Sequence, residues 1–260
     1  MKMPAIQGII RRRILVNFRV DPAVMQCLLP APFQVKTAHG YAMAGICLIR
    51  LEQIHPSFIP FPFGVSSENA AHRVAVCWTD KNGAEHEGVF IFRRDTDSNF
   101  NHLAGGRLFP GEQHHASFKV SDKEETVDFA MQSDDGKVEI HLHGQESSEF
   151  PAASIFSSLA EASALYETGA IGYSATRQGD HAEGMKFSTE AWQVSPLVLE
   201  SVYSNFFADT SRFPLGSVTF DCALLMRNIP HEWTPMPVLI LPKEGDTSRT
   251  GAICAGHFLQ

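Results

Sequence analysis

QHHASFKVSDKEETVDFAMQSDDGKVEIHLH, residues Gln113–His143, reads as three strands joined by short polar connections. Ala116, Phe118 and Val120 alternate with Ser117 and Lys119, and Val138, Ile140 and Leu142 alternate with Glu139, His141 and His143. A period of two puts one set on a buried face and the other toward water, which is the pattern of a half-buried strand. Ser133-Asp134-Asp135-Gly136 has the composition of a hairpin turn, so the strands it joins are antiparallel neighbours.

The same signature extends outward in both directions. Candidate strands run over Arg11–Asn17, Tyr41–Leu51, Ala71–Trp78, Glu87–Arg93, Gln113–Val120, Thr126–Gln132, Lys137–His143, Gly169–Tyr173 and Ser217–Met226, with a second hairpin turn at Asp80-Lys81-Asn82-Gly83. Helical signals are fewer. Asp21-Pro22 pairs a capping residue with Pro at the first helical position and leads into Val24, Met25, Leu28 and Leu29 before Pro30. Ser158 with Glu161 makes a capping box within a helix expected over Ser154–Thr168, closed by Gly169. Ser195-Pro196 opens a third, with Leu197, Val198, Val202 and Phe206 at helical spacing, and Asp97–Arg107 reads as a fourth. The expectation is a mainly β chain with three to four packing helices. With no repeat, no low-complexity tract and no linker, it reads as one domain over residues 1–260, with Pro56–Pro62 a packed loop and Lys243–Thr250 a polar, mobile tail.

Composition narrows the partners. The chain has 260 residues, 44% hydrophobic, which supplies a large core and excludes a disordered tail. A formal charge of −8 repels nucleic acid and anionic lipid. The longest apolar run, Tyr41–Ile49, is far short of the roughly 20 residues that span a bilayer. Arg11-Arg12-Arg13 follows the first apolar residues, the wrong order for a secretory signal, so a cytoplasmic protein is expected. Five cysteines, odd in number and widely spaced, suit reduced, buried thiols.

The common hydrolase, nucleotide-binding and zinc motifs are missing. His141 and His143 share a strand face, but the opposite face is apolar, so they are expected in solvent rather than on a metal, and no metal or cofactor is expected. His114 falls on the apolar face of its strand, and with His115 it is the candidate proton-transfer pair, against a hydrogen-bonded structural histidine. Glu68, Asn69 and Arg73 sit before and inside an apolar strand and need partners, either one another or a small polar ligand. Arg93, Arg94, Asp95 and Asp97 read as a solvated charge run in preference to a carboxylate-binding rim.

Several segments in order carry a resemblance: ILVNFRVDPAVMQCLLP at Ile14–Pro30, GYAMAGI at Gly40–Ile46, SSENAAHRV at Ser66–Val74, FIFRRDTDS at Phe90–Ser98 and GRLF at Gly106–Phe109, with the later Ala191-Trp192 compatible. Together they resemble the uncharacterised YqjF-like family, DUF2071, of the acetoacetate decarboxylase-like superfamily. The resemblance implies an antiparallel β barrel or cone enclosing a pocket for a small organic acid. True acetoacetate decarboxylases carry a Schiff-base lysine and a second lysine in a GFPKK stretch. Counting forward without gaps from Gly106-Arg107 puts His114 and His115 at those two places, and none of the eight lysines lies in the stretch. Histidine forms no stable iminium, so the decarboxylase mechanism does not transfer. Three readings stay open: an enzyme acting on a small keto or hydroxy acid by acid–base chemistry, with Glu68, Asn69 and Arg73 binding or orienting it; a non-catalytic module that binds or senses a small organic anion; and a scaffold whose barrel is filled by side chains. A homo-oligomer is left open.

Overall fold

The apolar run at Tyr41–Ile49 marks a strand that is buried on both faces. In the computed structural model, which describes residues 4–58, 64–99, 109–123, 125–242 and 254–255, strand β3 (Tyr41–Pro56) lies between β1 (Ile6–Val20) and β4 (Val65–Thr79), antiparallel to both. Ala42, Ala44, Ile46 and Leu48 feed one hydrophobic core, while Met43, Cys47, Ile49 and Leu51 feed another on the opposite side. Alternation along one strand therefore serves two interiors, which is why no polar residue interrupts the run.

Hydrogen-bonded pairings close two rings that share a wall. The wall is β12 (Val218–Pro235), β1, β3, β4 and β5 (Glu85–Thr96). The first ring is completed by β6 (Gln113–Lys123), β7 (Thr126–Ser133), β8 (Glu139–Glu146) and β11 (Ser195–Ser204); the second by β9 (Ile171–Ala175) and β10 (His181–Ser188). β2 (Gln34–Ala38), β13 (Leu239–Ile240) and β14 (Cys254–Ala255) extend the edges. Val127, Phe129, Ile140 and Leu142 fill the first ring, and helix α2 (Leu159–Thr168) packs Ala162, Leu165 and Tyr166 into the second core.

The architecture is mainly β with few helices, and it differs from the sequence reading in particular places. β5 pairs parallel with both β6 and β9, because one long strand serves two rings. The helix expected from Ser195 is strand β11, followed by one turn of helix, α3 (Asn205–Ala208). Pro196, Leu197, Val198 and Val202 are compatible with either period over so short a run, and the open place between β8 and β12 makes it a strand. α1 (Pro22–Gln26) is capped by Asp21, and Ser158 caps α2 through Glu161 N–H at 3.2 Å, so that helix starts later than Ser154. Residues 100–107 of the fourth expected helix, the Lys243–Thr250 tail and most of the Pro56–Pro62 loop fall outside the described residues. Cys47 and Cys222 are free and buried, as expected, whereas Cys27 is free but exposed and Cys77 is disulfide-bonded. Among the described residues no helix is long and apolar enough to cross a membrane, which does not bear on strands.

Candidate functional site

The floor of the second ring is a grid set by strand register. Residues opposite one another across β1, β3 and β4 form the rows Arg13–Ile49–Asn69, Leu15–Cys47–Ala71 and Asn17–Gly45–Arg73. Gly45 has no side chain, so the Arg73 guanidinium crosses above it and donates from Nη2 to Asn17 Oδ1 at 2.9 Å. Arg73 is only 3% exposed, and its Nε and Nη1 have no partner. Among the described residues no carboxylate lies within ion-pair distance of it, and burial pulls its pKa below the ordinary guanidinium value. A buried charge without a counter-charge is costly unless something else supplies hydrogen bonds.

Helix α2 forms the opposite wall. Ser158 accepts from Glu161 N–H while Glu161 accepts from Ser157, and this fixed start turns Tyr166 inward. The Arg73 guanidinium lies 4.7 Å from the centre of the Tyr166 ring, whose buried hydroxyl makes no hydrogen bond of good geometry but stands close enough to the guanidinium to interact with it. Burial pushes that phenol pKa up, so at neutral pH it is a donor. Arg13 donates from Nε to Cys47 Sγ at 3.3 Å and stacks 5.3 Å from the Phe187 ring. Arg94 donates to Ser174 Oγ at 3.1 Å, and burial lowers its pKa to about 10. These side chains line one cavity of about 130 Å³, with Trp192 and Trp233 at its aromatic side. Asp95 also lines it, but Arg93 already grips both of its oxygens at 2.8–3.1 Å.

The cavity thus collects three guanidiniums, one phenol and one thiol, and no lysine among its described lining residues. Its size suits a molecule of a few heavy atoms, and its donors suit an anion. Among the described residues no group of three or more His, Cys, Asp or Glu could hold a metal ion.

The structure brings Asn69 and Arg73 together at this cavity and separates them from the other expected site residues. Glu68 is an odd number of residues from Arg73, so alternation turns it to the other face of β4, where Arg12 Nη2 donates to it at 2.7 Å. Burial raises the Glu68 pKa against the pull of Arg12. His114 keeps the apolar face of β6 but lies at the rim, 3.8 Å from Asp135, and burial lowers its pKa. His115 pairs with Asp134 at 2.7 Å. Neither lines the cavity; Gln113, one residue earlier than the ungapped count, does. His141 and His143 stand outside β8, paired with Glu139 and Asp128. The charge run at Arg93–Asp97 is not simply solvated: Arg93 is held by Asp95 and Asp135, and Arg94 enters the cavity.

Arg13, Cys47 and Tyr166 are not among the expected site residues, and Arg94 falls in the run expected to be solvated. Parity offered a signal for Arg13, since Arg12 and Arg13 must face opposite sides of one strand, whereas Arg94 and Tyr166 reach the cavity only through tertiary packing.

Comparisons agree with this architecture. Acetoacetate decarboxylase from Legionella pneumophila superposes with a TM-score of 0.56 at 15% identity, over 92% of this chain and 88% of that one. An acetoacetate decarboxylase-like enzyme from Sphingomonas wittichii gives 0.57 at 13% identity, over 93% and 94%. The enduracididine biosynthesis enzyme MppR, complexed with pyruvate, gives 0.53 at 11% identity, over 93% and 92%. At these identities the likeness shows the fold alone. No curated protein matches the sequence. The family model of DUF2071, described as an uncharacterized conserved protein, matches residues 10–211, and the chain belongs to that family, with the fold of the acetoacetate decarboxylase-like proteins.

Proposed function

We propose that the second ring is a binding chamber for a small organic carboxylate, with Arg73 as its primary contact. The observation that carries this reading is the buried Arg73 guanidinium with two unpartnered nitrogens and no carboxylate beside it among the described residues. Arg13 and Arg94 add positive charge, the Tyr166 hydroxyl offers a donor for a second oxygen, and Asn69 stands at the far corner of the grid. The pyruvate in the MppR structure is an anion of suitable size and supports the same class of ligand on this fold.

The cavity's polar groups are mainly donors. Its one described carboxylate is occupied by Arg93, and the His114–His115 pair lies elsewhere. This inventory favours binding a keto or hydroxy acid over acid–base turnover of it, since general base catalysis needs a group free to take a proton.

The test is calorimetry with pyruvate and lactate on the wild type and on Arg73→Met and Arg73→Lys. A charge-assisted hydrogen bond is worth about 1.5–3 kcal/mol, so Arg73→Met should weaken binding about tenfold or more, with Arg73→Lys in between. A folded wild type that binds neither acid overturns the reading, as does a folded Arg73→Met that binds them like the wild type.

A further inference from the structure

Cys47 occupies the middle of the cavity floor. It is a free thiol, buried at 8% exposure, on the same face of the sheet as Arg13 and Arg73. Register makes both arginines its diagonal neighbours: Cys47 is opposite Leu15 and Ala71, while Arg13 is opposite Ile49 and Arg73 is opposite Gly45. Diagonal residues on one sheet face are about 7–8 Å apart at the backbone, within reach of long side chains. Arg13 Nε points at the sulfur at 3.3 Å. Arg94 faces Cys47 along its own row, across the small Ala71. A thiol alone would mean little. Here it shares its cavity with the unpartnered nitrogens of a guanidinium that is 97% buried by its 3% exposure, and those nitrogens call for an anion next to the sulfur.

We propose that Cys47 adds reversibly to the carbonyl carbon of a 2-oxo acid whose carboxylate is held by Arg73. In this step the Sγ–C2 bond forms, the C2–O π pair moves onto oxygen, and the thiol proton ends on that oxygen, giving a thiohemiketal. Nothing is oxidised or reduced and no group leaves. The new oxygen bears charge as the bond forms, and the guanidinium and phenol donors around the sulfur stabilise it. This inference rests on the carboxylate reading and narrows it, because a 2-hydroxy acid has no carbon for the thiol to attack.

Two measurements on the full-length protein separate the two claims. The first is carbon NMR with pyruvate labelled at C2. A protein-bound tetrahedral carbon signal should appear in the wild type and vanish in Cys47→Ser, while calorimetry shows that Cys47→Ser still binds pyruvate. The second is alkylation read by peptide mapping, with the exposed free thiol Cys27 as internal reference. The ratio of iodoacetate to iodoacetamide modification should be at least tenfold higher at Cys47 than at Cys27, should fall to the Cys27 value in Arg73→Met, and pyruvate should protect Cys47 alone. Pyruvate binding without a tetrahedral signal overturns the addition and leaves the carboxylate reading standing. A tetrahedral signal that persists in Cys47→Ser, as from bound pyruvate hydrate, also overturns it. No binding of pyruvate at all, with equal alkylation ratios at the two thiols, overturns both.

Discussion

Asn17 and Arg73 meet across the empty place left by Gly45, with a hydrogen bond of 2.9 Å between strands that are not neighbours. Asn17 is itself fixed, since its Nδ2 donates to Leu15 O at 3.0 Å, so its Oδ1 is aimed before Arg73 arrives. One side of the guanidinium is thereby held while Nε and Nη1 stay unpartnered. The missing side chain in the middle strand is the condition for this arrangement.

Gly45→Ala tests that condition. A Cβ at this position would lie 2.0 Å from Val16 O, a backbone atom in a paired strand that cannot rotate away. Overpacking of this kind costs about 1–3 kcal/mol or more. Urea unfolding should show a loss in that range, accompanied by weaker pyruvate binding; a loss below about 0.5 kcal/mol contradicts the close approach.

Arg12 and Arg13 are adjacent in sequence and should respond oppositely to mutation. Arg12 is buried in the first ring against Glu68, and removing one partner of a buried pair costs about 3–5 kcal/mol. Arg12→Met should therefore destabilise the fold yet leave the pyruvate affinity of the folded protein within about twofold of wild type (~0.4 kcal/mol). Arg13→Met should lower that affinity several-fold at a smaller cost in stability. The same ranking of both variants in calorimetry would contradict the assignment of the two residues to separate faces.

Acid should weaken the fold through two buried histidines. Burial holds His72 at a pKa of about 3 and His231 at about 4, both below the ordinary histidine value. The unfolded chain then binds protons that the folded chain refuses, so stability falls as pH drops from about 6.5 toward 4, on the order of 3 kcal/mol per histidine. Glu68 and Asp95, raised by burial, pull the other way in the lower part of that window. Comparing variants isolates the histidine share: His231 stacks on Phe187, so His231→Phe should keep the packing and flatten the curve. An unchanged slope between pH 6.5 and 4 would count against a neutral buried His231.

His114→Gln and His115→Gln should bind pyruvate within about twofold of wild type (~0.4 kcal/mol), because both side chains pair with rim aspartates outside the cavity and such half-exposed pairs are worth about 0–1 kcal/mol. A tenfold loss of affinity in either variant would return these residues to the site.

Borohydride added with pyruvate or acetoacetate should leave the intact mass unchanged, since no described residue lining the cavity is a lysine. A reduced adduct on Lys119 or Lys123 would restore Schiff-base chemistry.

The sequence alone determined the strands of the meander, the caps at Asp21 and Ser158, and the family, because each depends on contacts among near neighbours or on residues read in order. It also marked Asn69 and Arg73 as polar groups in an apolar strand that need partners, through the cost of burying them unpaired. Parity was present in the sequence too, and it separates Glu68 from Arg73 once the strand is known to run unbroken from Val65 to Thr79. Only the tertiary structure decided the rest. Ser195–Ser204 is a strand because an open place beside β8 and β12 satisfies its backbone, a condition no local period reports. Cys47 lies among Arg13, Arg73 and Arg94 because register aligns strands that are far apart in the chain, and Tyr166 joins them from a helix that packs across the ring. A pocket is built from groups that are distant in sequence, so its chemistry becomes visible only when the sheet has closed.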